Sequence, residues 1–328
     1  MSSGIQTTLK SDFLQRTKIV PTNPHSLANG CYVVLHIRPG PPYPDAQTSP
    51  QIAADTRFEL TENTWIERLE TGFATRIQGA CEPAHYNIDR DIRDRYLYAF
   101  MREIPQNETA RKEGLLDLLT VVALSRLIRP TSTGDRYCAR VLPHGGTDPP
   151  IEGLHLTGVC PDVFVGDNSR DWLSPHDGLE LRKLMPWVSI HKKMHGRVHR
   201  AYWNHEQVMR TYYLDTRWNL VVSGLEALIT VEKSNVRKQF VNRVRKLAIE
   251  FGVELSETEL HNAYTVRSGL AHAQNFLFGL HTVLSPDKHR PLYDKLEMLL
   301  RSTIKRCLLD ETFGQHFANG AAVKTKWP

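Results

Sequence analysis

The stretch "LSETELHNAYTVRSGLAHA", Leu255 to Ala273, decides how the second half of the chain is read. Ser256 is followed three residues later by Glu259, the pattern of a helix start in which each side chain reaches the other residue's backbone N–H. From there Leu260, Tyr264, Arg267 and Ala271 recur at spacings of three and four and share one helix face. Arg267 is the charged member of that face. A guanidinium on a buried stripe requires a paired acid or a partner surface. The acid that fits is Glu226, because Val222, Glu226 and Ile229 flank the apolar stripe of an earlier helical segment. His272 follows Arg267 at a rotation of about 140° on a helix turning ~100° per residue. The small residues Ser268, Gly269 and Ala271 permit close approach of a second helix. The stretch therefore predicts a helix at an interface, with a polar site in it.

Three further helical patterns surround it. Leu214, Trp218, Val221, Leu225 and Leu228 form one stripe, and Val236, Phe240, Val244, Leu247 and Phe251 a second. The last helix, predicted to begin at Pro291, turns Leu292, Leu296, Leu299, Ile304 and Leu308 inward. Four amphipathic helices joined by short loops predict a bundle.

The first half reads as mixed. "GCYVVLHIRPGPPYPD" (Gly30 to Asp45) is a strand ended by a Pro/Gly cluster. "ENTWIERLETGFATRI" (Glu62 to Ile77) places Ile66, Leu69, Phe73 and Ile77 at helical spacing. "KEGLLDLLTVVALSRLIRP" is apolar almost all round and stops at Pro130, as a central core helix does. "LHLTGVCPDVFVGD", from Leu154, returns to strand-like composition. The fold class expected is α+β: a mixed unit over residues 1–195, an all-α four-helix bundle over 196–315, and a C-terminal tail over 316–328.

At 328 residues the chain is long enough for two packed units. A mean hydropathy of −0.39, with no apolar run near the ~20 residues of a membrane span and no signal-peptide pattern at its start, leads to the expectation of a soluble cytoplasmic protein without a membrane partner. The five cysteines (Cys31, Cys81, Cys138, Cys160, Cys307) are scattered and never form a Cys-x-x-Cys pair, which excludes a disulfide framework and a zinc knuckle. Residues 196–315 hold 17 lysines and arginines against 13 acids, so most of the chain's +5 charge sits there. Lys233, Arg237, Lys238, Arg243, Arg245 and Lys246 lie in one run without an acid, and phosphate contacts dominate RNA affinity. These six are the candidate RNA-binding residues.

The segments "GLEALI" (Gly224 to Ile229), "FVNRVRKLA" (Phe240 to Ala248) and "AYTVRSGLAH" (Ala263 to His272) resemble the HEPN superfamily, and within it the Apea-like HEPN group. The resemblance spans residues 202–312. It implies an arginine followed within four to six residues by a histidine, here Arg267 and His272. The same spacing also occurs at Arg170/His176 and Arg200/His205, so the helix context carries the identification. The resemblance further implies a metal-independent endoribonuclease, acting as a homodimer through the HEPN helices and needing no cofactor. Its setting would be antiviral defence or a toxin-like stress response, with the N-terminal unit sensing a protein or nucleic-acid trigger. In that reading His272 does acid/base work, Arg267 stabilises the scissile phosphate and Glu226 orients Arg267. The alternative is a non-catalytic HEPN module that binds RNA, a nucleotide or a protein.

Other features weigh less. His191, His195, His199 and His205 are spaced for a metal site, but Gly196 interrupts them and no carboxylate or cysteine completes the set. Tyr202, Trp203 and Tyr212 have the chemistry to stack bases, although aromatics entering a bundle are usually core. "PHGGTDPP" at Pro143 is similar to an oxyanion-hole loop, yet no Gly-x-Ser-x-Gly elbow accompanies it. Walker-type and dinucleotide-binding glycine motifs are absent from the sequence.

Overall fold

The computed structural model describes residues 29–37, 57–81, 96–130, 137–143, 148–154, 173–190, 194–211, 213–271 and 286–328. Six strands, β1 (Cys31–Ile37), β2 (Phe58–Thr61), β3 (Thr64–Glu67), β4 (Tyr96–Glu103), β5 (Cys138–Val141) and β6 (Ile151–Gly153), form one antiparallel sheet in the order β2-β3-β4-β1-β5-β6. Helix α1 (Thr71–Cys81) belongs to one face of the sheet and α2 (Glu108–Ile128) to the other. Along β1, Cys31, Val33 and Leu35 join Phe73 and Ile77 of α1, while Tyr32 and Val34 join Leu118, Val121 and Val122 of α2. Burial on both faces explains why this strand is an unbroken apolar run rather than an alternating one.

The same two-sided burial corrects the helix expected over residues 62–77. Trp65 and Ile66 are both buried, on opposite faces of the sheet, so Thr64–Glu67 is a strand and the helix begins at Thr71. A strand covered on both sides loses its period of two, and the chance spacing from Ile66 to Leu69 imitated a helix. The core helix ending before Pro130 is present, starting at Asn107, whose side chain accepts from the Thr109 N–H. Residues 155–167 of the strand-like stretch, residues 144–147 of the Pro143 loop, and Cys160 lie outside the described residues. Cys31, Cys81, Cys138 and Cys307 are buried free thiols.

After β6 the described chain is helical: α3 (Pro175–Leu184), α4 (Pro186–Ile190), α5 (Gly196–Met209), α6 (Leu214–Ile229), α7 (Val236–Glu250), α8 (Glu257–Ala271), α9 (Pro286–Leu309), α10 (Glu311–Gln315) and α11 (Gly320–Lys326). Trp218, Val221, Leu225 and Leu228 of α6 and Phe240, Val244 and Leu247 of α7 are buried, following their stripes. Gly224 lets α6 and α9 approach: a Cβ there would lie 2.7 Å from Leu300 Cδ2. Pro291 falls inside α9 rather than opening it.

One apolar core runs from Tyr32 and Phe100 on the sheet, through α2, to Trp218 of α6 and Leu299 of α9. Residues on either side of the expected 195/196 boundary therefore share a core. Polar side chains tie the same parts together. Arg126 of α2 pairs with Glu206 of α5, and Arg301 of α9 donates to Glu297 (2.9 Å) and to the Ile128 carbonyl (3.3 Å). Residues 316–328 are not a tail. They carry α11 and bury Phe317, Val323 and Trp327, whose indole N–H donates to Glu250 at 2.9 Å. Among the described residues no helix is long and apolar enough to cross a membrane.

Candidate functional site

The start of α8 is built as its sequence predicts. The Ser256 N–H donates to Glu259 Oε2 (2.7 Å), and the Glu259 N–H donates to Ser256 Oγ (3.1 Å). This start sets the phase of the helix. Leu260 and Ala263 are buried, the Ala263 carbonyl accepts from the Trp218 indole at 3.1 Å, and Tyr264 and Arg267 come to the boundary between α8 and α6.

There Arg267 Nη2 meets Glu226 Oε2 at 2.8 Å. The Tyr264 hydroxyl also bonds Glu226, its ring centre lies 5.9 Å from the Arg267 guanidinium carbon, and the ring leans on Phe240 at 5.5 Å. Burial pushes the Glu226 carboxyl above its ordinary value, with Arg267 and the Tyr264 bond opposing it. Burial likewise pushes the Tyr264 phenol up, and the neighbouring Glu226 carboxylate adds to it. Arg267 Nε is buried and has no acceptor among the described residues.

This pair forms one wall of an open cleft of about 560 Å³. Arg197, Arg200 and Asn204 of α5 also line it, with Ser223 and Ala227 of α6 and Thr230 beyond its end. Arg197 Nη1 donates to the carbonyls of Ala227 (3.2 Å) and Thr230 (2.7 Å), closing the C-terminal end of α6. Burial first, and then the positive charges of Arg200 and Arg243, hold Arg197 below the usual arginine value. Arg200 is exposed and has no acidic partner within ion-pair distance among the described residues. Thr230 Oγ1 is buried without a partner among the described residues. Three guanidinium groups therefore face one carboxylate, and the cleft favours an anion.

The Arg267–Glu226 pairing expected from the two stripes is present. His272, the expected acid/base residue, lies outside the described residues. The basic run divides. Arg243 is buried, with Nε on the Trp327 carbonyl (2.9 Å) and Nη1 on the Ile229 carbonyl (2.9 Å) and Gln239 (2.8 Å). It ties α7 to the C-terminal segment and faces the core, which corrects its assignment as a phosphate contact. Lys246 donates to the Pro328 carbonyl, Arg245 lies 3.8 Å from Glu257, and Arg237 donates to His261. Lys233 and Lys238 are exposed. The charge run is therefore mostly the solvated face of α7, and the cleft lies elsewhere.

Arg197 and Arg200, which the sequence reading missed, sit in "HKKMHGRVHRAYWNHE", a segment weighed only for its histidines and aromatic residues. The signal was present as charge, but which face of α5 carries it depends on packing. His205 of the same segment is buried 3.1 Å from Glu297, while His199 is exposed, so the histidine series does not converge. His191 and Tyr212 lie outside the described residues. Among the described residues no three metal-ligating side chains cluster. Tyr202 packs against the core, whereas Trp203 is 60% exposed.

No protein-family model, no curated protein and no solved structure matches the chain.

Proposed function

We propose that the chain is a HEPN-type endoribonuclease whose cleft binds the phosphate backbone of RNA. The observation that carries this reading is the Arg267–Glu226 pair set in the wall of a cleft that holds two further arginines. Glu226 restrains Arg267 through Nη2, which fixes the guanidinium in the wall of the cleft. The part of the Arg267 side chain that stays exposed to the cleft meets the phosphate, and the guanidinium stabilises the charge that builds on phosphorus.

His272, five residues further on, takes the 2'-hydroxyl proton as general base. The 2'-oxygen then bonds phosphorus, the bond from phosphorus to the 5'-oxygen breaks, and a water gives a proton to that oxygen while His272 releases the one it took to solvent. The products are a 2',3'-cyclic phosphate and a 5'-hydroxyl. RNA supplies its own nucleophile, so the reaction needs no metal. By the resemblance, two copies associate through the HEPN helices, and the sheet-bearing region governs when the site acts, in defence or a stress response.

The test is cleavage of a mixed pool of tRNA and single-stranded RNA in EDTA. Wild type is expected to leave cyclic phosphate ends, and His272→Ala and Arg267→Ala to lower the rate by at least about a hundredfold. RNA that is bound but left intact by wild type would replace this reading with the non-catalytic binding module.

A further inference from the structure

Among the described tryptophans, Trp65, Trp218 and Trp327 are buried and Trp187 is half-buried, whereas Trp203 is 60% exposed. Its place on α5 is specific. Arg200 precedes it by three residues, about 60° around the helix, and Arg200 and Asn204 line the cleft. The residues around it are polar: His199 and Arg200 are exposed, and Asn204 and Gln207 are half-buried. A tryptophan that docks a protein normally belongs to a contiguous apolar patch. One set among cationic and amide side chains, on the same helix turn as Arg200 and Asn204 of an anion cleft, has the surroundings of a base-stacking platform.

We infer that Trp203 and Arg200 form a nucleotide subsite beside the cleft, and that the ligand is single-stranded RNA, one unpaired base lying on the indole with its phosphate on Arg200. A duplex keeps its bases stacked on each other and cannot offer that face. The subsite deepens the reading of the cleft as an RNA site and rests on it. It lies on α5 rather than on the helices that carry the Arg267–Glu226 pair, so binding and cleavage can be separated.

The experiment uses the full chain in the His272→Ala background, so that bound RNA is not consumed. Fluorescence anisotropy measures its affinity for a labelled single strand of mixed sequence and for the matching duplex. Single strand is expected to bind at least about tenfold tighter. Trp203→Ala is expected to lose about ten- to a hundredfold of that affinity and Trp203→Phe to keep most of it. Arg200→Ala is expected to weaken binding and lower the slope of log affinity against log salt by about one. Because Trp203 and Arg200 are exposed, unchanged thermal unfolding should show that each variant folds.

Equal affinity of Trp203→Ala and its parent overturns the subsite, and so does equal affinity for single strand and duplex. If Trp203→Ala alone, with His272 intact, cleaves RNA normally at unchanged affinity, the ribonuclease stands without the subsite. If binding depends on Trp203 while wild type never cleaves, the subsite stands and the ribonuclease falls. If wild type binds no RNA, both fall.

Discussion

Helix α5 serves two polar clusters that use the same residue types to opposite ends. Inward, Glu206 pairs with Arg126 and Arg210, and His205 lies against Glu297, which also receives Arg301. Outward, Arg197 and Arg200 line the same cleft as the Arg267–Glu226 pair. In the first cluster each carboxylate has at least two cationic or imidazole neighbours, and burial is nearly complete: Arg126 is 1% and Glu206 8% exposed. Burial acts to raise the Glu297 carboxyl, but Arg301 and His205 outweigh it and hold it below its ordinary value. In the second cluster burial prevails over the Arg267 charge and the Tyr264 bond, and Glu226 is pushed up. The closed cluster pairs its charges among its own members, although Glu206 Oε2 and His205 Nδ1 have no hydrogen-bond partner among the described residues, whereas the open one carries surplus positive charge beside solvent, where a ligand can reach it.

The largest expected effect breaks the closed cluster. Arg126→Ala leaves Glu206 buried beside Arg210 alone and should lower unfolding free energy by about 3–5 kcal/mol in a urea titration. A loss under about 1 kcal/mol would mean that the buried carboxylate finds water or another partner, and the contrast with the cleft would disappear. Replacing both members, Arg126→Met with Glu206→Leu, should recover much of the loss, since a buried pair exchanged for apolar residues is often neutral.

The same titration on Arg267→Ala should show a smaller change, about 1 kcal/mol, because Glu226 keeps the Tyr264 bond and access to the open cleft. RNA cleavage should nevertheless collapse. A stability loss as large as that of Arg126→Ala would make the Arg267–Glu226 pair a structural tie between α6 and α8 and remove the argument that it is held for a ligand.

The cleft pair was legible in the sequence for the same reason that the helices were. Trp218, Phe240 and Leu260 announce three buried faces through spacing alone, and Arg267 and Glu226 sit at fixed offsets from those stripes. The Ser256–Glu259 start is local chemistry and needed no tertiary information. Arg200 and Arg243 show where this kind of reading stops. Both are arginines in basic stretches, yet one faces a cleft and the other holds the carbonyls of Ile229 and Trp327. What separates them is the C-terminal segment 316–328, whose buried Trp327, just past α11, turns a region expected to be a tail into the acceptor for Arg243. Trp65 and Ile66 were misread for a related reason: covering both sheet faces erases the alternation that marks a strand.

The smallest expected effect tests the open cluster through pH. Glu226 titrates above the ordinary carboxyl value of 4.5, so acidification protonates it while ordinary surface carboxylates remain charged. Neutral Glu226 no longer offsets Arg267, and Arg197 and Arg200 keep their charge, so the cleft gains one unit of positive charge. Tyr264, pushed up by burial, stays protonated throughout. RNA affinity must therefore rise as pH falls through the raised value and decline again as pH returns above it. One unit charge about 6 Å from a phosphate in water-like surroundings is worth about 0.7 kcal/mol, or about threefold in affinity. Histidines gain charge over part of the same range, so the informative quantity is the difference between the chain and its Glu226→Gln variant at constant salt. The variant should already bind about threefold tighter at neutral pH, and the two curves should converge on acidification. Parallel curves would mean that Glu226 does not control the charge of the cleft, leaving its contact with Arg267 as a matter of position alone.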